Sequence, residues 1–271
     1  MSARWELAKG SGARRMCGWL LAAAWLLWIG PAAAVDLDSI RDCVRANVPS
    51  SIRIQNVKLT AFDRAGGSRE MMGRLFAMRE DPAQLRLMLR LDAPPDVAGS
   101  AYLVREREQG QEMYVYVPAL NRVRRVTGAS LDGSLFATDF SYGDIGQIHR
   151  AFDAGSAVLE DAGEIGRRAV DWIAFDPREQ HDTRFDRIRV AVDRETCVAL
   201  RIEFFENGAV GKRYEAAPER LRQFDTHWYA EFAQMRNLKQ ETHTTLEVQE
   251  VSSGDALSNR YFMPKTFYEG P

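Results

Sequence analysis

The 271 residues of this sequence, 45% of them hydrophobic and 27% charged, have the composition of a soluble globular protein with material for one large domain or two ordinary ones. The formal net charge is −2 at pH 7, and a mildly acidic protein is a poor nucleic-acid binder. We therefore expect no nucleic-acid partner.

The first 34 residues have the organisation of a secretory signal peptide. Arg14 and Arg15 precede an apolar run over residues 19–29, and small residues close the segment at 32–34. The run is much shorter than the roughly 20 residues that a membrane-spanning helix needs. We therefore expect export through the general secretion route, with cleavage after Ala34.

The chain that remains after cleavage keeps two cysteines, Cys43 and Cys197. Two cysteines in an exported protein pair more often than they stay free. The sequence therefore predicts a disulfide that closes a very long loop and stabilises the fold by about 4 kcal/mol on the chain-entropy model.

Residues 35–48 carry apolar side chains at helical spacing and predict one short amphipathic helix. From residue 51 the apolar period changes to two. Leu85, Leu87, Leu89 and Leu91 alternate with Arg86, Met88 and Arg90, which indicates a half-buried strand with its leucines inward. The most distinct hairpin pairs residues 188–192 with 198–204, and residues 227–235 suggest a single strand.

About eleven candidate strands, at fairly regular spacing, and only two plausible helices predict a mainly β fold. We expect one large curved antiparallel sheet over short helices, in a single domain spanning residues 35–271. Strand twist accumulates in so long a sheet and forces it to curl. Its concave side would be incompletely filled by the protein itself, which leaves room for a hydrophobic ligand.

Residues 113–148 combine a strand with unlike faces, a short basic strand and a long glycine-containing loop. The loop is too long for a plain hairpin turn, and its aromatic content argues against disorder. A helical turn or two is expected over residues 142–152.

The segments VYVPALNRVRRVTG and GSLFATDFSYGDI within this stretch resemble the signature of the LolA-like outer-membrane lipoprotein-sorting family. The resemblance extends over about residues 35–268. It implies an incomplete β-barrel wrapped over helices, an apolar cavity for acyl chains and a location in the periplasm. The residues that match the signature are Arg122, Arg124, Arg125, Gly133, Ser134, Asp139, Phe140, Tyr142 and Asp144. The sequence departs from the signature at Ala137, where glycine is expected, and at Gly143, where an acidic residue is expected.

Two interpretations of the three arginines remain open: ion pairs with Asp139 and Asp144 across the loop, or contact with an anionic head group at the cavity mouth. Leu135, Phe136, Phe140 and Tyr142 of the loop are candidates for lining a lipid site or for filling the core. The same alternatives hold for the four leucines of residues 85–91.

The sequence offers little for catalysis or for a cofactor. His149, His181, His227 and His243 lack the spacing of a helical zinc pair, and no phosphate-binding loop is present. Ser134 lacks the glycine-rich elbow of a hydrolase nucleophile. We therefore expect neither enzyme activity nor a metal or cofactor.

The function predicted from the sequence is a periplasmic carrier that holds the acyl chain of a lipid or lipidated protein, with at most transient contact with the membrane. An alternative, suggested by the resemblance alone, is an interaction module that docks on an inner-membrane export pump of the resistance-nodulation-division type and carries nothing.

Overall fold

The computed structural model describes residues 36–80, 84–107, 110–144, 155–179, 183–254, 257 and 259–269. The predicted signal peptide and most of the helical turn expected at residues 142–152 lie outside these ranges. No helix in the described ranges is both long enough and apolar enough to cross a bilayer.

One α-helix, α1, spans Leu37–Ala46, as the sequence predicts. Asp36 caps it, because its carboxylate accepts a hydrogen bond from the Ser39 amide at 2.7 Å. Ile40 on its inner face is buried in the core. The predicted disulfide is confirmed: Cys43 of α1 is bonded to Cys197, with 5.5 Å between the Cα atoms.

Sixteen strands lie in the described part of the chain. In order they are β1 Arg53–Phe62, β2 Ser68–Arg79, β3 Leu85–Ala93, β4 Ala101–Arg107, β5 Gly110–Val117, β6 Arg122–Val126, β7 Val158–Leu159, β8 Gly163–Ile165, β9 Arg168–Phe175, β10 Arg187–Asp193, β11 Ala199–Glu206, β12 Ala209–Ala216, β13 Leu221–Phe224, β14 His227–Ala230, β15 Phe232–Asn237 and β16 Thr242–Ser253. Short 3-10 turns occupy Pro118–Leu120, Gly128–Asp132, Pro177–Glu179, Pro218–Arg220 and Asn259–Phe262.

Fourteen of these strands form one antiparallel sheet in the order β6-β5-β4-β3-β2-β1-β16-β15-β12-β11-β10-β9-β7, with β8 also paired to β9. The pairing of β1 with β16 joins the two halves of the sheet. The edge strands β6 and β7 do not pair with each other, so the sheet is not closed. The predicted mainly β fold with an incomplete barrel is therefore confirmed.

Strand β3 differs from its prediction. The leucines at 85, 87, 89 and 91 are buried, but Met88 on the opposite face is 0% exposed as well. Phe262 and Phe267 of the C-terminal segment, residues 259–269, pack with Met88 in a second core on that face. The half-buried assignment was wrong because a segment distant in sequence covers the outer face.

The single strand expected at residues 227–235 is two strands. Strand β14 pairs with β13 in a separate two-stranded sheet, whereas β15 joins the main sheet between β12 and β16. The amide of Glu231, between the two strands, donates to the carbonyl of Arg220 and so marks the change of partner. The sequence did not reveal β13 because LRQF has only two apolar residues.

Candidate ligand-binding cavity

The central loop, residues 127–144, folds back on itself. The amide of Leu135 donates to the carbonyl of Phe140 at 2.7 Å, and that of Tyr142 donates to the carbonyl of Gly133 at 3.1 Å. The Ser134 hydroxyl donates to the carbonyl of Thr138 at 2.6 Å. These local bonds make the loop a compact element rather than an open connection.

Two successive loop residues, Phe136 and Ala137, have φ angles of +52° and +60°. This left-handed region favours glycine, since a Cβ atom is crowded there. The family signature expects glycine at position 137, and the backbone shows why. Alanine adopts the same conformation here at a steric cost.

The aspartates of the loop bind partners that the sequence did not suggest. Asp144 accepts from the amide of Ser141 at 2.7 Å, and its Oδ2 lies 2.5 Å from the Nζ of Lys212 on β12. Asp139 accepts hydrogen bonds from the hydroxyls of Thr242 and Thr244 on β16. Both carboxylates therefore anchor the loop across the concave face of the sheet.

The ion pairs that one of the two interpretations placed between these aspartates and the three arginines do not form in the structure, and contact of the arginines with an anionic head group stays a prediction. Arg122, Arg124 and Arg125 lie exposed on the edge strand β6, and none forms a salt bridge with a described residue. Strand β6 is an edge strand, and Arg124 and Arg125 lie exposed on its opposite faces. Tyr142 is held from the other side, by the hydroxyl of Tyr102, which donates to its carbonyl.

An apolar cavity of about 290 Å³ lies between the concave face of the sheet and the central loop. Its lining residues are Arg53, Gln55, Val57, Leu59, Leu75, Leu87, Leu89, Leu135, Thr138, Phe140, Asp144, Val198, Ala199, Ile202, Tyr214, Tyr229, Ala230, Leu246 and Val248. Most are aliphatic or aromatic, and they come from both halves of the sheet. Burial raises the pKa of Tyr214 to about 12, which reflects how dry this face is.

The predicted ligand-contact residues divide between this cavity and the core. Leu87, Leu89, Leu135 and Phe140 line the cavity. The other four, Leu85, Leu91, Phe136 and Tyr142, do not line it, and the last three pack in the core beside it. Whether the four lining residues contact a ligand stays a prediction.

A second, more polar pocket of about 520 Å³ lies on the other side of the loop. Thr138 and Phe140 line both pockets, and Lys212 lines the polar one. The segment around Phe140 therefore separates the apolar cavity from the polar pocket and contributes to the lining of both.

Five polar residues of the cavity were missed by the sequence analysis: Arg53, Gln55, Thr138, Tyr214 and Tyr229. The first two share the period-two face of β1 with Val57 and Leu59, so the alternation contained a signal for them. Tyr229 carried no such signal, because its strand belongs to the small separate sheet.

Two features of the described residues concern metal binding and nucleophilic chemistry. They contain no group of three or more histidine, cysteine or acidic side chains placed to hold a metal ion. The Ser134 hydroxyl, a candidate nucleophile by type alone, is engaged with a backbone carbonyl.

Several solved structures share this fold. A domain named as an outer-membrane lipoprotein-sorting protein, from Vibrio parahaemolyticus, superposes with a TM-score of 0.75 at 19% identity, over 86% of this chain and 100% of that one. A DUF1329 family protein from Desulfovibrio piger gives 0.73 at 21% identity, over 84% and 97%. A LolA superfamily protein from Nitrosomonas europaea gives 0.63 at 16% identity, over 85% and 98%.

Comparison of the sequence with known proteins identifies a family model that matches the chain, but no curated relative. No curated protein matches the chain significantly. The model of a family described as "Uncharacterized protein" matches residues 84–268, which include β3–β16 and the whole central loop. The chain therefore belongs to that family, and it has the LolA-like fold.

Proposed function

We propose that this protein is a periplasmic carrier that shelters an acyl chain of a lipid or of a lipidated protein. The observation that supports it is the apolar cavity enclosed by the sheet and by Phe140 of the central loop. Acyl chains are held by the apolar area they remove from water, at about 25 cal/mol per Å². An apolar cavity with few polar groups suits such a ligand.

The fold supports the same proposal. Two of the structures with this fold carry names that refer to outer-membrane lipoprotein sorting or to the LolA superfamily. The predicted signal peptide, with cleavage after Ala34, would deliver the chain to the periplasm as a single domain. The protein would act by binding and release, without a catalytic step. No described feature favours docking on an export pump, so that alternative is not pursued.

The architecture suggests how a bound chain is retained. The central loop closes one side of the cavity, and its aspartates fasten it to β12 and β16. A chain could enter past the edge of the loop or at the end of the cavity near Tyr229. In either case the leucines of β1 and β3 would form the surface on which it lies.

The proposal is tested by filling the cavity. Leu246→Trp places a large ring in it, whereas Leu238→Trp makes the same change at an exposed position and serves as the matched control. Native mass spectrometry of protein exported in cells should show a lipid adduct on the wild type and on Leu238→Trp, and a strong loss on Leu246→Trp. Absence of adduct on every form, or equal adduct on both variants, would contradict a carrier role for this cavity.

A further inference from the structure

Strand β1 gives the cavity a polar end that carries a positive charge. Strand β1 sends Arg53, Gln55, Val57 and Leu59 to its lining in succession. Alternate residues on a strand point to one face and lie about 7 Å apart. The lining therefore changes from charged to polar to aliphatic over the length of one strand. Such a gradient matches a ligand with a polar head and a hydrocarbon tail.

The two charged residues of the cavity differ in how their charge is compensated. Asp144 is neutralised by Lys212 and bonded to Ser141. Arg53, only 9% exposed, forms no salt bridge with any described residue. A buried charge without a partner is costly, so an anion that pairs with it is stabilised.

The hydrogen-bonding capacity of Arg53 is also incompletely used. Its Nη1 donates to the carbonyl of Asn47 at 3.3 Å, and its Nε is buried without a partner in the described structure. A guanidinium can donate five hydrogen bonds and binds carboxylate or phosphate oxygens in pairs. An anionic group beside Arg53 would supply the missing acceptors.

The positive charge of Arg53 acts on the neighbouring imidazole of His227. Burial, reinforced by the charge of Arg53, lowers the pKa of His227 below its ordinary value. Burial likewise lowers the pKa of Arg53 itself. Burial is the first cause of both shifts; the carboxylate of Asp225 opposes the shift of His227, and Tyr229 opposes that of Arg53.

The volume of the cavity limits the length of the hydrocarbon chain that the ligand can place in it. A methylene group occupies about as much room as a water molecule, roughly 30 Å³. A cavity of about 290 Å³ therefore corresponds to one chain segment of about ten carbons, which is less than the several acyl chains of a full lipoprotein anchor occupy. A longer chain or a second chain would fit only if the central loop moved.

We propose that the cavity selects a single-chain amphiphile with an anionic head group, whose carboxylate or phosphate pairs with Arg53 and Gln55 while its chain lies on Leu59, Leu87 and Leu89. This inference rests on the proposed carrier function and specifies its ligand class. The free fatty acid and the phosphate monoester share the chemistry that Arg53 recognises.

Three ten-carbon probes, decanoate, decyl phosphate and decanol, distinguish the contribution of the head group to binding from that of the hydrocarbon chain. Each is titrated by calorimetry into lipid-stripped protein. We expect both anions to bind the wild type about tenfold or more tightly than decanol does, which is the size of a charge-assisted hydrogen bond. Arg53→Gln should remove that preference and leave decanol binding unchanged. Arg74→Gln, at an arginine of β2 paired with Asp92, is the control and should keep the preference.

If decanoate binds more tightly than decyl phosphate, the natural ligand is assigned a carboxylate head group, as in a fatty acid. If decyl phosphate binds more tightly, the natural ligand is assigned a phosphate ester head group. Equal binding of all three probes, unaffected by Arg53→Gln, would overturn the head-group assignment and leave the carrier function standing. No binding of any probe to the wild type would overturn the carrier function itself.

A measurement on the unaltered protein covers the case in which Arg53→Gln does not fold. The imidazole of His227 is titrated by NMR with decanoate or decanol bound. Decanoate should raise the pKa of His227, because it neutralises Arg53, and decanol should not. Equal titration curves with the two probes would overturn the pairing of the head with Arg53.

Discussion

The Nζ of Lys212 lies 2.5 Å from the Oδ2 of Asp144, and the two side chains are 4% and 1% exposed. This buried ion pair fastens the end of the central loop to β12. The ammonium also lies over the ring of Phe204, at 5.4 Å from its centroid. The loop thus depends on an interaction between residues 68 positions apart in the sequence.

Lys212→Met should destabilise the protein by about 3–5 kcal/mol, because it leaves the carboxylate of Asp144 buried without its counter-charge. The double variant Lys212→Met with Asp144→Asn should recover a large part of this loss, since no charge then stays buried. Urea unfolding measures both. A double variant as unstable as the single one would contradict the view that uncompensated charge causes the loss.

Ala137→Gly should raise the free energy of unfolding by about 0.5–1 kcal/mol, because it relieves the left-handed backbone at this position. Ala65→Gly, in the turn between β1 and β2 and without a positive φ, is the control and should lower stability slightly through the entropy of the unfolded chain. A loss at position 137 equal to that at position 65 would argue against strain in the loop.

Replacement of Cys43 and Cys197 by serine should lower the free energy of unfolding by about 4–5 kcal/mol, because the bridge closes a loop of 154 residues. Denaturant titration of the oxidised and double-serine proteins gives the difference. In the unreduced, unfolded wild type, thiol labelling of the mature chain should detect no free cysteine. Two labelled thiols would disprove the bridge.

Simultaneous replacement of Arg122, Arg124 and Arg125 by glutamine should change the free energy of unfolding by less than about 0.5 kcal/mol, since exposed charges without ion-pair partners contribute little. The same measurement on Lys212→Met supplies the contrast. A loss of several kcal/mol in the triple variant would restore the hypothesis that these arginines fasten the loop.

In the ligand-free protein, Arg53→Gln should raise the pKa of His227 toward its ordinary value, because a neighbouring positive charge disfavours the imidazolium. The burial of His227 remains, so the rise should be partial. NMR titration measures it, with Arg74→Gln as a control that should leave the pKa of His227 unchanged. An unaltered pKa in Arg53→Gln would show that the two groups do not interact.

The pattern of residues within a segment predicted its structure correctly where that structure depends on contacts within the segment itself. The alternation around residues 188–204 predicts the β10–β11 hairpin, which pairs Val190 with Ile202. Asp36 identifies the start of α1 because a helix cap is a contact within one turn. Ala137 stood out as a departure from the family signature before its left-handed backbone was known.

Prediction failed where the partner is distant in sequence. The burial of Met88 depends on Phe262 and Phe267, and no periodicity in β3 could indicate a segment about 170 residues away. One of the two open interpretations paired Asp139 with arginines near it in sequence, whereas the sheet places Thr242 and Thr244 beside it. Residues that are close in sequence were therefore not the residues that are in contact in the folded protein.

The sequence alone determined the strand-rich composition and the aromatic content of the central loop, and it predicted the pairing of Cys43 with Cys197. These follow from local alternation and residue type. Only the tertiary structure decided which loop residues face the cavity, that Lys212 neutralises Asp144, and that Arg53 lines the cavity without an ion-pair partner in the described part of the chain. The physical reason is that the pairing of β1 with β16 and the packing of the loop are long-range contacts, which bring together side chains that share no local pattern.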